Sequence, residues 1–315
     1  MPEVPVFDHD TVLRAVSPSD AIERVRDGFV AYASDEWGMP PKVYLEAPPH
    51  GDFRAMPARG GGLAILKWVT SFPGNPERGL PVVMGVIAVS SSEDGRPLAL
   101  VDARAVTALR TGAVAAVAAQ ELAREDASTV GILGCGLHGA WAARCLAAAE
   151  YGPGICFDPN PEAAGALAGE LGWEAGAQDE ALDCDVVTCV TPGAEPVVRA
   201  GDVRPGMHLN MLGADGPGKA EAEIEAVERC VLFCDEWDQA SHGGELTGAI
   251  ERGIVTRDQV TELGDVLTGN APGRPDGQAA TLFDSTGLAI QDLAICLELL
   301  EVHRAGGAKP GTVRL

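Results

Sequence analysis

Two groups of residues in this 315-residue chain are of a type and spacing that could do chemistry. The first is Gly134-Cys135-Gly136-Leu137-His138-Gly139, a G-x-G-x-x-G run between the apolar stretch TVGIL and the helix-like LHGAWAARCLAAA. In that setting Gly134 makes the turn, Gly136 lets a pyrophosphate approach the backbone, Gly139 lets helix and strand pack closely, and the helix N-terminus faces the negative charge. Asp158 lies 24 positions after Gly134, at the end of GICFD. A carboxylate there accepts hydrogen bonds from a ribose 2′-hydroxyl and repels a 2′-phosphate, which predicts NAD rather than NADP. The second group is cationic: Lys42, Arg54, Lys67 and Arg110. Lys67 sits between Leu66 and Trp68, and burying an ammonium there is costly unless something anionic meets it. A bound carboxylate is one explanation; ordinary ion pairs of Lys67 and Arg110 with Asp or Glu are the other.

The elements that must hold these residues change character along the chain. Ser17 or Ser19 can cap a helix whose apolar positions are Ala21, Ile22, Val25, Phe29 and Val30. From Tyr44 to Asp102 the runs FRAMPA, LAILKWV, LPVVMGVIAVS and LALVD are short and β-like, with a hairpin signal at EDGRP. These predict a mostly antiparallel sheet. Residues 105–124 read as one Ala-rich helix, broken or tightly packed at Gly112. After Ser128, apolar strand-like runs alternate with helical segments, the pattern of a parallel sheet covered by helices. The expected fold is therefore α/β: a Rossmann-type parallel-sheet domain over 126–299, preceded by an α+β domain with a mostly antiparallel sheet over 1–125.

Composition narrows the function classes. Lys+Arg of 23 against Asp+Glu of 46 gives a formal charge of −23, a field that repels phosphate backbones and anionic headgroups, so neither nucleic acid nor membrane is an expected partner. The longest apolar stretch, Leu80–Val89, is far shorter than the ~20 residues of a membrane span, and the N-terminus lacks a signal-like pattern, which predicts a cytoplasmic protein. The eight cysteines sit in apolar or Gly-rich runs and read as buried reduced thiols. With no CxxC pair or Cys/His cluster, no metal is expected. Only four lysines occur (Lys42, Lys67, Lys219, Lys309), so each invites an explanation.

RAMPA, KWVTSFPGNP, LPVVMG, ALRTGA, GILGCGLHG, GADGPGKAE and FDSTGLAIQD, in this order over positions 54–292, resemble the ornithine cyclodeaminase/mu-crystallin family. The resemblance implies a homodimer whose N-terminal sheet domain, completed by a C-terminal helix at 300–315, is the substrate-binding and dimerisation domain, and whose Rossmann domain holds a nicotinamide cofactor. It implies that Lys67 contacts substrate and that Asp215 handles protons. Arg110 would lie near the substrate carboxylate with Thr111 toward the pyrophosphate. Lys219 would lie near the cofactor, and Ser285, Thr286 and Gly287 near the nicotinamide, with Thr286 and Gly287 on the substrate side. Thr191 and Leu212 join Gly134, Gly136, Leu137, His138, Gly139 and Asp158 on the cofactor side.

The chain also departs from the family pattern. Lys42 stands where cyclodeaminases usually carry an arginine, keeping the charge and losing the bidentate fork, and Val82 replaces a common threonine. Arg54 stands where cyclodeaminases tend to have an acid, as in the alanine dehydrogenase-like members. An arginine facing ornithine's second ammonium is a like-charge clash on the order of a few kcal/mol when desolvated. The implied reaction is NAD-dependent oxidative deamination of a small L-amino acid, L-alanine first, with Lys42, Arg54 and Lys67 on the carboxylate. Ornithine cyclodeamination, cyclic ketimine reduction and non-catalytic nicotinamide binding are the alternatives. His138 and His208 read as structural rather than proton-carrying, His242 and Glu245 as a loop and helix start rather than a metal pair, and the acidic run 220–228 as a solvated helix face.

Overall fold

The computed structural model describes residues 3–192, 195–216 and 218–315. Packing divides the chain into two units, Met1–Arg110 with Leu288–Leu315, and Thr111–Gly287. The division falls inside the Ala-rich helix and again at Gly287, whereas the sequence pattern places the boundaries at 125 and 299.

The first unit opens on a strand that carries no turn signal in the sequence, β1 (Glu3–Phe7), followed by helices α1 (His9–Ala15) and α2 (Pro18–Ala33). Ser17 caps α2 by accepting from Asp20 N, with Pro18 at the first helical position. Strands β2 (Val43–Ala47), β3 (Gly51–Gly60), β4 (Leu63–Ser71), β5 (Val83–Ser91) and β6 (Pro97–Asp102) then form an antiparallel meander. Helix α3 (Ala103–Leu122) follows, carrying the chain into the second unit.

Because strand side chains alternate faces, β4 buries Leu63, Ile65, Lys67 and Val69 and turns Leu66 and Trp68 outward. Cross-strand register places Met56, Lys67, Ile87 and Val101 in one buried row. Lys67 thus occupies a core position by strand period alone.

The second unit is an all-parallel sheet. Its strands are β7 (Val130–Leu133), β8 (Gly154–Phe157), β9 (Glu174–Ala175), β10 (Val186–Cys189), β11 (His208–Met211), β12 (Val231–Cys234), β13 (Val260–Glu262) and β14 (Thr281–Asp284), in the order β13-β12-β14-β11-β10-β7-β8-β9. Strands β7, β10, β11 and β14 are buried at every residue, which is why they read as continuous apolar runs without alternation. The helices are α4 (Leu137–Ala148), α5 (Pro161–Leu171), α6 (Gln178–Leu182), α7 (Ile224–Val227), α8 (Trp237–Gly243), α9 (Thr247–Glu251) and α10 (Leu263–Leu267). Gly112 is tightly packed and the helix is not broken there: a Cβ at that position would lie 2.4 Å from the Trp141 carbonyl oxygen.

The chain then returns to the first unit. Helix α11 (Ala289–Arg304) packs on α2, β3 and β4, and strand β15 (Gly311–Arg314) pairs antiparallel with β1. The expected helix over 300–315 is therefore corrected: Gly306, at φ 85°, and Gly307 end it, and Pro310 precedes an edge strand. All eight cysteines are free thiols, seven of them buried. Among the described residues no helix is long and apolar enough to cross a membrane, and no group of three or more His, Cys, Asp or Glu side chains is arranged to hold a metal ion.

Candidate functional site

In the first unit the buried row of the sheet meets the helices α3 and α11 around Lys67. Its Nζ donates to Asp292 Oδ1 at 2.8 Å and to Thr107 Oγ1 at 2.7 Å, and the Thr107 hydroxyl donates on to the Ala103 carbonyl at 2.6 Å. Lys67 is 1 % exposed and Asp292 0 %. Arg110 Nε stands 3.8 Å from the same Asp292 Oδ1, and Arg110 Nη1 donates to Gln291 Oε1 at 3.4 Å. Burial pulls the Lys67 pKa down, Asp292 pushes it back up, and the Arg110 charge lowers it again. Among the described residues Asp292 Oδ2, Gln291 Nε2 and Arg110 Nε are buried with no hydrogen-bond partner.

The anion that the burial of Lys67 calls for is thus present in the chain, and the ion-pair explanation is the one realised for Lys67 and Arg110. Arg54 lies on the same sheet face, diagonal to Lys67 across β3 and β4. Its Nε donates to Asp52 Oδ1 at 2.7 Å, and its guanidinium lies over the Tyr44 ring, 5.4 Å from the centroid. Lys42 is half-buried just ahead of β2.

In the second unit the Gly-rich turn has the geometry its spacing predicts. Gly134 takes φ 96°, which favours glycine. A Cβ on Gly139 would fall 1.8 Å from the Gly134 carbonyl oxygen, so this close helix–strand approach excludes any side chain. Gly136 is the N-cap of α4 and a Cβ there would meet nothing within 4 Å, leaving its backbone open to an approaching phosphate. Leu137 and His138 form the first turn of α4. Asp158 follows β8 and accepts from Cys135 N at 2.7 Å and Asn160 N at 2.8 Å, so the carboxylate assigned to a ribose also fastens the turn. This cradle fits a dinucleotide.

The carboxyl ends of the neighbouring strands, where ligands of such sheets bind, are fastened by four buried carboxylates that sequence reasoning did not find. Glu221 accepts from Thr191 N at 2.6 Å and Gly213 N at 2.7 Å. It thereby holds two loops, one after β10 and one running from Leu212 to Asp215. Glu245 accepts from Glu221 N and Ala222 N, and Asp284 from Leu246 N. Asp235 accepts from Ser285 Oγ, Thr286 Oγ1 and Gly287 N, fixing the turn 285–287. Burial raises the pKa of Glu221 and, aided by the charge of Glu221, takes Glu245 up to about 7. Burial and the charges of Asp235 and Glu245 raise Asp284 well above the carboxylate range.

The expectation of a solvated acidic face over 220–228 is corrected here: Glu225 and Glu228 are exposed, but Glu221 is fully buried because backbone N–H groups draw it in. Asp215 pairs with Lys219 at 2.5 Å, one helical turn apart in sequence and each about a third exposed. Thr111 is buried in α3. His208, between Thr281 Oγ1 and Asn210 Oδ1, is pushed down to about 3 by burial and stays neutral near neutral pH.

The pattern of the ornithine cyclodeaminase/mu-crystallin family matches residues 6–305. The chain belongs to that family. Alanine dehydrogenase of Archaeoglobus fulgidus is 40 % identical over 306 residues, covering 95 % of each chain. An archaeal alanine dehydrogenase dimer solved with bound NAD superposes with a TM-score of 0.94 at 38 % identity over the whole of both chains. The Δ1-pyrroline-2-carboxylate reductase of Thermococcus litoralis, solved with NADH and L-proline, superposes at 0.92 with 26 % identity, over 99 % of this chain and all of that one. The family match spans both the Lys67 cluster and the Gly-rich turn. Of the residues missed in the sequence, only Asp292 left a signal there: it is the one charged residue in the mostly apolar stretch 287–297, and a buried carboxylate needs a cation.

Proposed function

We propose that the protein is an NAD-dependent oxidoreductase of amino-acid metabolism that converts L-alanine to pyruvate and ammonia and runs the reverse reaction. The observation that carries this reading is the charge balance at Lys67. Two cations, Lys67 and Arg110, face the single carboxylate of Asp292, leaving one positive charge, the complement of one substrate carboxylate. Arg54, on the same face, disfavours a substrate with a second ammonium. The 40 % identity to the Archaeoglobus enzyme points the same way.

Gly134, Gly136, Leu137, His138 and Gly139 would hold the pyrophosphate, Asp158 the adenosine ribose, and Thr111, Thr191, Leu212, Lys219 and Ser285 the remainder of the cofactor. When bound, the nicotinamide supplies the hydride acceptor or donor. The rest falls to the chain. Lys67 and Arg110, with Lys42 and Arg54, orient the substrate carboxylate, and Thr286 and Gly287 border the substrate; orientation of this kind is worth several kcal/mol. Asp215 takes a proton from the water that adds to the imine carbon and returns one to the departing nitrogen, while Lys219 holds its carboxylate. Lys67 stabilises negative charge developing on the substrate oxygen.

The chain is further assigned as a homodimer. Val43, Leu45, Leu66, Trp68 and Val86 are large, apolar and more than a third exposed on the outer face of β2–β5, a patch suited to a second copy. Its free thiols suit a reducing, cytoplasmic setting. A panel of L-alanine, L-ornithine and pyrroline carboxylates, each with NAD or NADP and followed by nicotinamide absorbance, tests the reading. Alanine-dependent NAD reduction with ammonia release is the expected result; ornithine converted to proline with no net change in the nicotinamide would overturn it in favour of cyclodeamination.

A further inference from the structure

We propose that Asp292 is a positioning residue for the reaction, acting through Lys67: it anchors the ammonium between α11 and α3 and holds it in the charged form that meets the substrate carboxylate. This rests on the assignment of Lys67 to the reaction. Three observations carry it. The ammonium is fully buried and has two partners, Asp292 Oδ1 and Thr107 Oγ1, so its place is set by one helix on each side. The pair is unfinished as a purely structural one. A buried ion pair that only supports the fold needs its remaining lone pairs and protons satisfied, yet Asp292 Oδ2, Gln291 Nε2 and Arg110 Nε have no hydrogen-bond partner among the described residues. Finally, burial and the charge of Arg110 oppose a charged lysine, and Asp292 is the main group acting against them.

Those surroundings can be enumerated. From β3 and β5 the row neighbours of Lys67 are Met56 and Ile87, both buried and apolar. From α3 come the neutral Thr107 and the cation Arg110. From α11 come Asp292 and Cys296, whose thiol is pushed up by burial and stays protonated. Burial and Arg110 drive the Lys67 pKa down, and Asp292 is the main group opposing them. With Asp292 neutralised, the ammonium gives up its proton at a lower pH.

The test is the pH profile of kcat/KM in Asp292→Asn, set beside Lys67→Ala and Asp292→Glu. In Asp292→Asn the alkaline limb moves down by roughly one to three pH units, while NADH affinity, read by quenching of tryptophan fluorescence, is unchanged. Asp292→Glu keeps the charge and therefore the limb, but displaces the ammonium and lowers kcat by about tenfold to a hundredfold. A limb that stays in place in a folded Asp292→Asn protein overturns the proposal, as does an Asp292→Glu variant with unaltered kcat. Near-normal turnover in Lys67→Ala would instead overturn the assignment of Lys67 itself. If Asp292→Asn does not fold, the Asp292→Glu arm decides. The charge state is also readable directly, because a chain with four lysines gives four side-chain signals on selective 13C labelling, and Lys67→Arg identifies the one that titrates.

Discussion

The two units bury ionisable groups in opposite ways. In the first, cation meets anion: Lys67 and Arg110 converge on Asp292. In the second, Glu221, Glu245, Asp284 and Asp235 are buried together, and what meets them is chiefly backbone N–H groups and hydroxyls. A buried ion pair carries a large desolvation cost that its attraction barely offsets, so it is kept where the charge itself is used. A carboxylate accepting two or three N–H bonds acts as a clamp for loops that have no ladder of their own. On the proposed reading the first arrangement serves the chemistry, while the second holds strand-end loops in register.

The largest expected effect breaks the first arrangement. Lys67→Ala leaves the Asp292 carboxylate buried against Arg110 alone, and removing one partner of a buried pair costs about 3–5 kcal/mol. Urea unfolding should show that loss, and turnover should vanish while NADH binding persists.

The next effect sharpens the contrast through pH. Burial and the charge of Glu221 take Glu245 from the ordinary 4.5 to about 7. Between those values the folded protein holds a proton that the unfolded chain has released. Stability from this group is therefore complete below pH ~4.5 and lost as pH rises to ~7, by on the order of 3 kcal/mol. Glu245→Gln cannot ionise, so the stability gap between it and the wild type should move in the variant's favour from pH 5 to 8. A pH-independent gap would remove Glu245 from the titrating set.

A smaller effect concerns a single clamp. Asp235→Asn replaces one acceptor oxygen facing Ser285, Thr286 and Gly287 with a donor, at a cost of about 1–3 kcal/mol. Calorimetry should record this as a lower Tm, and KM for the cofactor should rise more than NADH binding to the Gly-rich turn alone would require. Smallest in stability is Asp158→Asn, which should relax discrimination against NADP; unchanged discrimination would show that fastening the turn through Cys135 N and Asn160 N is its whole task.

What was legible in the sequence was what local pattern encodes. The Gly-rich turn, the alternation giving the parallel sheet, the Asp94–Gly95 hairpin and the burial of Lys67 all follow from residues adjacent in the chain. Asp292 is 225 positions from Lys67, and their meeting depends on α11 returning across β4, which no local period announces. Glu221 lies two positions from Glu223 and four from Glu225; nothing in such a run marks the one that turns inward, because its partners are N–H groups of Thr191 and Gly213. Arg54 is plain in the sequence as a cation, but its pairing with Asp52, two residues earlier on the same strand face, is one of several that the i, i+2 spacing allows and none that it singles out. The strand β1 and the terminal β15 carry no local signal because each is defined by its pairing near the sheet edge.

The central claim, hydride removal from the α-carbon of a small amino acid with release of the imine nitrogen, is tested most directly by turnover of L-alanine deuterated at Cα in the presence of NAD. Deuterium recovered on the reduced nicotinamide, with pyruvate and ammonia formed in equal amounts, is the result predicted. No transfer from alanine, together with deuterated ornithine yielding proline that retains its label and no accumulated reduced cofactor, would contradict it.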